Sequence, residues 1–217
     1  MGKDLKTRKQ ELVRDAIYDA AMELFARKGF NETTVDEIVE AAGVSQRSFF
    51  RYFPMKNDVL AYDIAGAGDV LVAAVEGCPR ELSGLEVVRR AARANIEYAL
   101  SRPQTRQIIE ITAQNFPARK AHRAALVEVE NRVSEAYAAR MMSSGKYSLE
   151  PRMLTLLTQM VVDLTLTSWF VGEAKDCESG MKTVFGKLTQ TFCEPENGST
   201  EALAKPRQRK RSIRRFV

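Results

Sequence analysis

Apolar residues recur at three- and four-residue steps along most of the chain, and no stretch alternates as a strand would. Val13, Ala16, Ile17, Ala20, Leu24 and Phe25 mark one face of a first helix from about Thr7 to Lys28. Gly29 stops it, since glycine enters the left-handed conformation past a last turn at little cost. Thr34-Val35-Asp36-Glu37 has the spacing of a capping box, in which the Thr34 hydroxyl accepts from the backbone while Glu37 reaches back. The helix it opens is short, because Gly43 follows closely. Ser45 caps a third helix, Ser45 to Phe53, which Pro54 ends.

Beyond Pro54 the helices lengthen. One is predicted from Lys56 to about Glu76 with Gly66 and Gly68 inside it. Each glycine costs about 1 kcal/mol against alanine, which either a bend or a close helix contact would explain. Ser83-Gly84-Leu85-Glu86 is a second capping box, opening a helix to about Leu100. Pro103 and Pro117 suit the first turns of two more, the second running from Pro117 to about Met142 and ending before Gly145. Leu149 to Val171 is too apolar for one-sided burial. Its Met153, Leu154, Leu157, Met160, Val161, Leu164 and Trp169 imply contact with both its own domain and a partner. A last helix spans about Glu178 to Phe192. The pattern predicts an all-α chain of about nine helices. Residues 1–60 form a three-helix domain, residues 61–194 a larger helical domain, and residues 195–217 a polar linker and basic, disordered tail.

Composition narrows the function. Hydrophobic residues at 45% and charged residues at 28% fit a globular chain rather than a disordered one. No apolar run approaches the ~18 to 20 residues of a membrane span. The N-terminus, with Lys3, Asp4, Lys6, Arg8 and Lys9, is no signal segment. A soluble, cytoplasmic protein is expected. The formal charge of +5 is concentrated in the tail: residues 1–60 carry ten basic and ten acidic residues, whereas residues 205–217 carry seven basic and none acidic. That tail is either a solvated solubility element or a phosphate-binding arm. Three scattered cysteines and one histidine fit neither a disulfide framework nor a metal cluster. With no nucleophile–base pair or phosphate loop, the chain is expected not to be an enzyme and to need no cofactor or metal. His122, on a charged helix, reads as a surface residue.

The first three helices form a helix-turn-helix in outline. Val35, Ile38, Val39, Val44, Phe49 and Phe53 are the residues that would bury its inner faces, and Gly43 permits the turn. The outer face of the third helix presents Gln46, Arg47, Ser48, Arg51 and Tyr52. Arg47 can pair with guanine O6 and N7, and Gln46 with adenine N6 and N7, at ~1–3 kcal/mol of discrimination each. An ordinary solvated helix pair would show a similar face.

The stretch from Thr33 to Leu60, including Thr33-Thr34-Val35-Asp36-Glu37-Ile38 and Phe49-Phe50-Arg51-Tyr52-Phe53-Pro54, closely resembles the TetR family of transcriptional regulators. The resemblance covers about residues 10–60. It implies an all-helical homodimer that represses transcription from a palindromic operator on double-stranded DNA until a small ligand releases it. By the same resemblance Thr34 and Ser45 donate to phosphates, Gln46, Arg47 and Ser48 touch base edges, and Tyr52 and Lys56 touch the backbone. Arg51 is a further candidate reader. Phe50 stands where tyrosine is common, and Met55 where serine often caps the next helix. Residues 118–142 and 149–169 are similar to the effector domains of mycofactocin-type and related actinobacterial members, which are associated with acyl-CoA ligands. An apolar or acyl-type effector is therefore expected among the helices of residues 84–171. Candidate lining residues are Tyr98, Phe116, Met160, Trp169 and Phe170, and for each the reading as plain core is favoured. The helices 149–171 and 178–192 are expected to pair the subunits, with no membrane partner. The alternatives are a helical small-molecule-binding or interaction protein without specific DNA binding, and RNA binding through the tail.

Overall fold

The computed structural model describes residues 5–142 and 149–193, which form nine α-helices and one short 3-10 helix. The order is α1 (Leu5–Lys28), α2 (Val35–Ala41), α3 (Gln46–Tyr52), the 3-10 helix (Lys56–Ala61), α4 (Ile64–Glu76), α5 (Gly84–Ser101), α6 (Thr105–Gln114), α7 (Phe116–Arg140), α8 (Leu149–Phe170) and α9 (Cys177–Cys193). The expected linker and basic tail lie outside the described residues.

Local chemistry fixes the short helices. Gly29 and Gly43 both take positive φ, 89° and 64°, where a side chain would strain the turn. Both capping boxes form: Glu37 N–H donates to Thr34 Oγ1 and Glu86 N–H to Ser83 Oγ, each at 3.3 Å, while each glutamate accepts from its cap's own N–H. Asn115 caps α7 and Pro117 occupies its first turn, whereas Pro103 lies ahead of α6 rather than inside it.

The helix expected from Lys56 to Glu76 is broken at Tyr62 and Asp63. Asp58 turns back to accept from Met55 N–H at 2.8 Å, tightening the first segment. Asp63 is held by distant partners: Tyr18 donates to Oδ2 at 2.7 Å, and Arg102 donates to Oδ1 at 2.8 Å. Burial and that hydrogen bond raise the Tyr18 pKa. Gly66 and Gly68 answer to contact, not to a bend. A Cβ on Gly66 would collide with the Tyr98 hydroxyl, and one on Gly68 would lie 2.8 Å from Val129 Cγ2.

Two buried clusters result. Ile17, Tyr18, Phe25, Ile38, Phe49 and Leu60 form the first, and α6 and α7 complete it with Ile108 and Ala118. Val75, Val88, Ile96, Val133, Tyr137 and Val161 are central to the second. Two hydrogen bonds also tie the α6 and α7 region to the first three helices: Gln107 Nε2 to Met22 O at 3.0 Å and Asn115 Nδ2 to Asn31 Oδ1 at 2.8 Å.

In α8 three threonines point inward. Thr155, Thr158 and Thr165 are buried beside Val161, and the Thr158 and Tyr137 hydroxyls share a hydrogen bond of 2.8 Å. Leu154 and Leu157 pack on the core. Met153, Leu156 and Leu164 remain 57%, 53% and 45% exposed, on one stripe with Leu149 and Met160. By length and composition α8 could cross a membrane, contrary to expectation. Its inward threonines and its packing on α5, α7 and α9 mark it as a core helix with one apolar face open.

Candidate nucleic-acid interface

The third helix stands on a core that fixes its orientation. Phe49 and Phe53 are buried beneath it, and Ile38 and Val39 of α2 close the other side, while Val35 and Val44 are half-buried at the edge. Ser45 caps α3 by accepting from Ser48 N–H at 3.2 Å, and the two hydroxyls are hydrogen-bonded at 3.1 Å. A side chain mounted on so short and so firmly seated a helix has little freedom of position.

The outward side chains differ in how they are held. Gln46 Nε2 donates to Asp36 Oδ1 of α2. Arg51 donates to the Tyr52 hydroxyl at 2.8 Å, its guanidinium 4.6 Å from that ring's centre. Arg47 is exposed and has no partner among the described residues. Phe50 is not in the core: it stands half exposed, edge-on to Phe49 with ring centres 5.3 Å apart. The exposed face therefore combines one unpaired guanidinium, one tethered amide, a hydroxyl pair and a stacked Arg–Tyr pair.

The loop before α2 contributes a second group. Thr34 is exposed, and its hydroxyl donates to Glu37 at 2.9 Å. Lys28 donates to Glu37 at 2.5 Å. That hydrogen bond, with those from Thr34, holds the Glu37 carboxyl down at about 2. Lys56, expected at a phosphate, is instead folded inward. Its Nζ donates to the carbonyls of Phe30 at 2.6 Å, Thr33 at 2.7 Å and Asn31 at 3.3 Å, and lies 4.6 Å from the Phe30 ring centre. An ammonium group has three protons, and all three are used. Burial lowers its pKa, with Glu32 and Glu37 opposing. The structural role of Lys56 is to bolt the α1–α2 loop to the 3-10 helix.

The expected effector residues do not converge. Phe116 and Met160 face solvent. Tyr98 lies against Gly66. Trp169 and Phe170 both receive the Arg106 guanidinium of α6, at 5.5 Å and 5.1 Å. An open cavity of about 770 Å³ lies instead between α5 and α9, with Phe185 and Met181 beneath Arg89, Arg93 and Lys182. None of the five expected residues lines it. His122 is half-buried rather than on the surface, and burial lowers its pKa.

Sequence reasoning missed Asp36, Asp63 and Arg102. Asp36 is ten residues from Gln46, and Asp63 lies 45 and 39 residues from Tyr18 and Arg102, so helical spacing cannot announce either contact.

A short capped helix with a polar outer face, seated across a glycine turn on a second helix, defines a helix-turn-helix domain. Residues 17–62 match the family described as bacterial regulatory proteins, tetR family; the N-terminal domain is a TetR-family domain on a TetR-like all-α chain. The chain is 28% identical over 189 residues to the HTH-type transcriptional regulator TcmR of Streptomyces glaucescens, covering 82% of each. It is 49% identical over 43 residues to the putative mycofactocin biosynthesis transcriptional regulator MftR of Mycobacterium tuberculosis, covering 20% of this chain and 22% of that one. That match spans about a fifth of each chain, so the mycofactocin-type likeness is only partial. Among solved structures, the TetR-family repressor FadR of Thermus thermophilus, in complex with lauroyl-CoA, superposes with a TM-score of 0.50 at 25% identity, covering 86% of this chain and 98% of that one.

Proposed function

We propose that this chain is a DNA-binding transcriptional repressor that acts as a homodimer on a palindromic operator. The observation that carries the reading is the outer face of α3. Arg47 is free to enter a major groove, Gln46 and Ser48 flank it already oriented, and Phe49 and Phe53 anchor the helix below. Thr34, Ser45, Arg51 and Tyr52 are assigned to phosphates, as positioning contacts rather than readers. Lys56 serves by holding the loop that carries Thr34. The zero balance of residues 1–60 is no obstacle, because such contacts act locally. A solvated helix pair would show a similar face, and what favours DNA reading over either rival, a non-DNA-binding helical module or an RNA-binding tail, is the match of residues 17–62 to the tetR family of regulatory proteins.

The apolar stripe of α8 supports dimerisation, since a stripe of five large hydrophobics is costly to leave in water. Two reading heads would then lie about one helical turn of DNA apart, ~34–36 Å, or a small multiple of it. Release by a ligand requires that the ligand bind the wrongly spaced conformer more tightly. The expected effector is apolar or acyl-type, in keeping with the likeness to the lauroyl-CoA complex. Its place among the helices is proposed near Trp169 and Phe170, where Arg106 links α8 to α6 and α6 in turn touches the reading domain. The site of action is the cytoplasm, where the DNA is.

The test is selection from a pool of randomised duplexes. The full chain should retain an inverted repeat, and Arg47→Ala should relax the preference at one step in each half. Retention of unrelated sequences by both proteins would refute the reading.

A further inference from the structure

We propose that Asp36 is a positioning residue that sets the base preference of Gln46, so that α3 selects adenine at one step of each half-site. The inference rests on the reading of α3 as the major-groove helix. Asp36 belongs to α2 and Gln46 opens α3, and the turn at Gly43 folds the two helices so that Gln46 Nε2 donates to Asp36 Oδ1.

The chemistry of the two groups decides what is left to meet DNA. A side-chain amide has two N–H donors and one carbonyl acceptor, whereas an ionised carboxylate only accepts. Asp36 therefore takes the nitrogen end and consumes one N–H. One N–H beside one carbonyl remains, a donor next to an acceptor. That pair matches adenine, whose major-groove edge offers N7 as acceptor and N6–H as donor. Guanine offers two acceptors, N7 and O6, and would set its O6 against the Gln46 carbonyl. A glutamine free to rotate can turn both its N–H groups toward guanine; one held by Asp36 cannot. The carboxylate thus converts a permissive reader into a selective one. The neighbouring readers do not compete for the same contact: Ser48 is paired with Ser45, Arg51 with Tyr52, and Arg47 is left for guanine.

The test compares wild type, Gln46→Ala, Asp36→Ala, the double variant and Asp36→Asn as full chains, by sequencing duplexes retained from a randomised pool. Gln46→Ala should lower the adenine preference at one step per half-site by about fivefold or more. Asp36→Ala should lower it at the same step, with guanine gaining there and other steps unchanged, and the double variant should behave as Gln46→Ala. Asp36→Asn, whose side-chain carbonyl still accepts, should keep the preference. A folding defect would depress retention at every step together and leave the base pattern of the remaining active protein intact, which contradicts the proposal as surely as no change would. If Asp36→Ala leaves the Gln46-dependent step as it was, the inference fails while DNA reading by α3 stands. If wild type itself retains no preferred sequence, the reading of α3 has failed instead.

Discussion

Replacing Lys56 with methionine should weaken the DNA-free protein. Methionine keeps most of the apolar stem but leaves the Phe30, Asn31 and Thr33 carbonyls without the ammonium group. Phe30 and Thr33 are themselves buried, so water cannot fully replace the lost donors. Hydrogen bonds to a charged group contribute ~1.5–3 kcal/mol each when well formed. The two short ones are taken at the low end because the ammonium is only half-buried, giving roughly 3 kcal/mol. Loss of the cation–π contact with Phe30 adds about 0.5 kcal/mol. Against this, a released lysine-length side chain regains roughly 1–1.5 kcal/mol of rotamer freedom. The balance is a loss of about 2 kcal/mol, which in a chain of this size lowers the melting temperature by roughly 4–8 °C. Calorimetry on wild type and Lys56→Met without DNA measures this. A melting temperature unchanged within experimental scatter would refute the bolt and return Lys56 to the phosphate-contacting role expected from sequence, since a lysine serving only DNA has no effect when DNA is absent.

Gly68→Ala sets a helix-propensity gain of about 1 kcal/mol against overpacking on Val129 at ~1–3 kcal/mol, so the melting temperature should fall; a rise would show that α4 and α7 have room between them. Glu37, held at about 2 against an ordinary 4.5, stabilises the α1–α2 junction at pH above about 4.5 and loses that contribution as pH falls toward 2. Protection factors of the α2 amides, which remove the intrinsic pH dependence of exchange, should therefore fall from roughly pH 5 to pH 3 in wild type, and the fall should be blunted in Glu37→Gln. Leu156→Glu places a carboxylate on the α8 stripe of both subunits and should weaken self-association by about 100-fold or more, read as a shift to the 24.4 kDa monomer in sedimentation. An undisturbed dimer would move the interface elsewhere.

What the sequence disclosed follows from range. The boxes at Thr34–Glu37 and Ser83–Glu86, the stops at Gly29 and Gly43 and the cap at Ser45 depend on neighbours three or four residues away, and all are present. The break before α4 depends on Tyr18 and Arg102, and the inward turn of Lys56 on carbonyls up to 26 residues away, which no window of helical period contains. Likewise, an alanine in place of Gly66 looks harmless until Tyr98 is seen against it. For α8 the apolar count implied burial but not which residues make it: Thr155, Thr158 and Thr165 lie inside, Thr158 hydrogen-bonded to Tyr137, while Met153, Leu156 and Leu164 face out. The effector residues were chosen as aromatic or large, a property shared by core, surface and pocket, and Phe116 and Met160 proved to be surface.

The central claim is that α3 lies in a major groove, and photo-crosslinking from position 47 tests it most directly. A photoreactive side chain at that position, on a duplex recovered from the randomised pool, should mark bases at two sites related by a dyad and about one helical turn apart, or a small multiple of it. Crosslinks scattered along the backbone, or confined to one site per bound dimer, would contradict it.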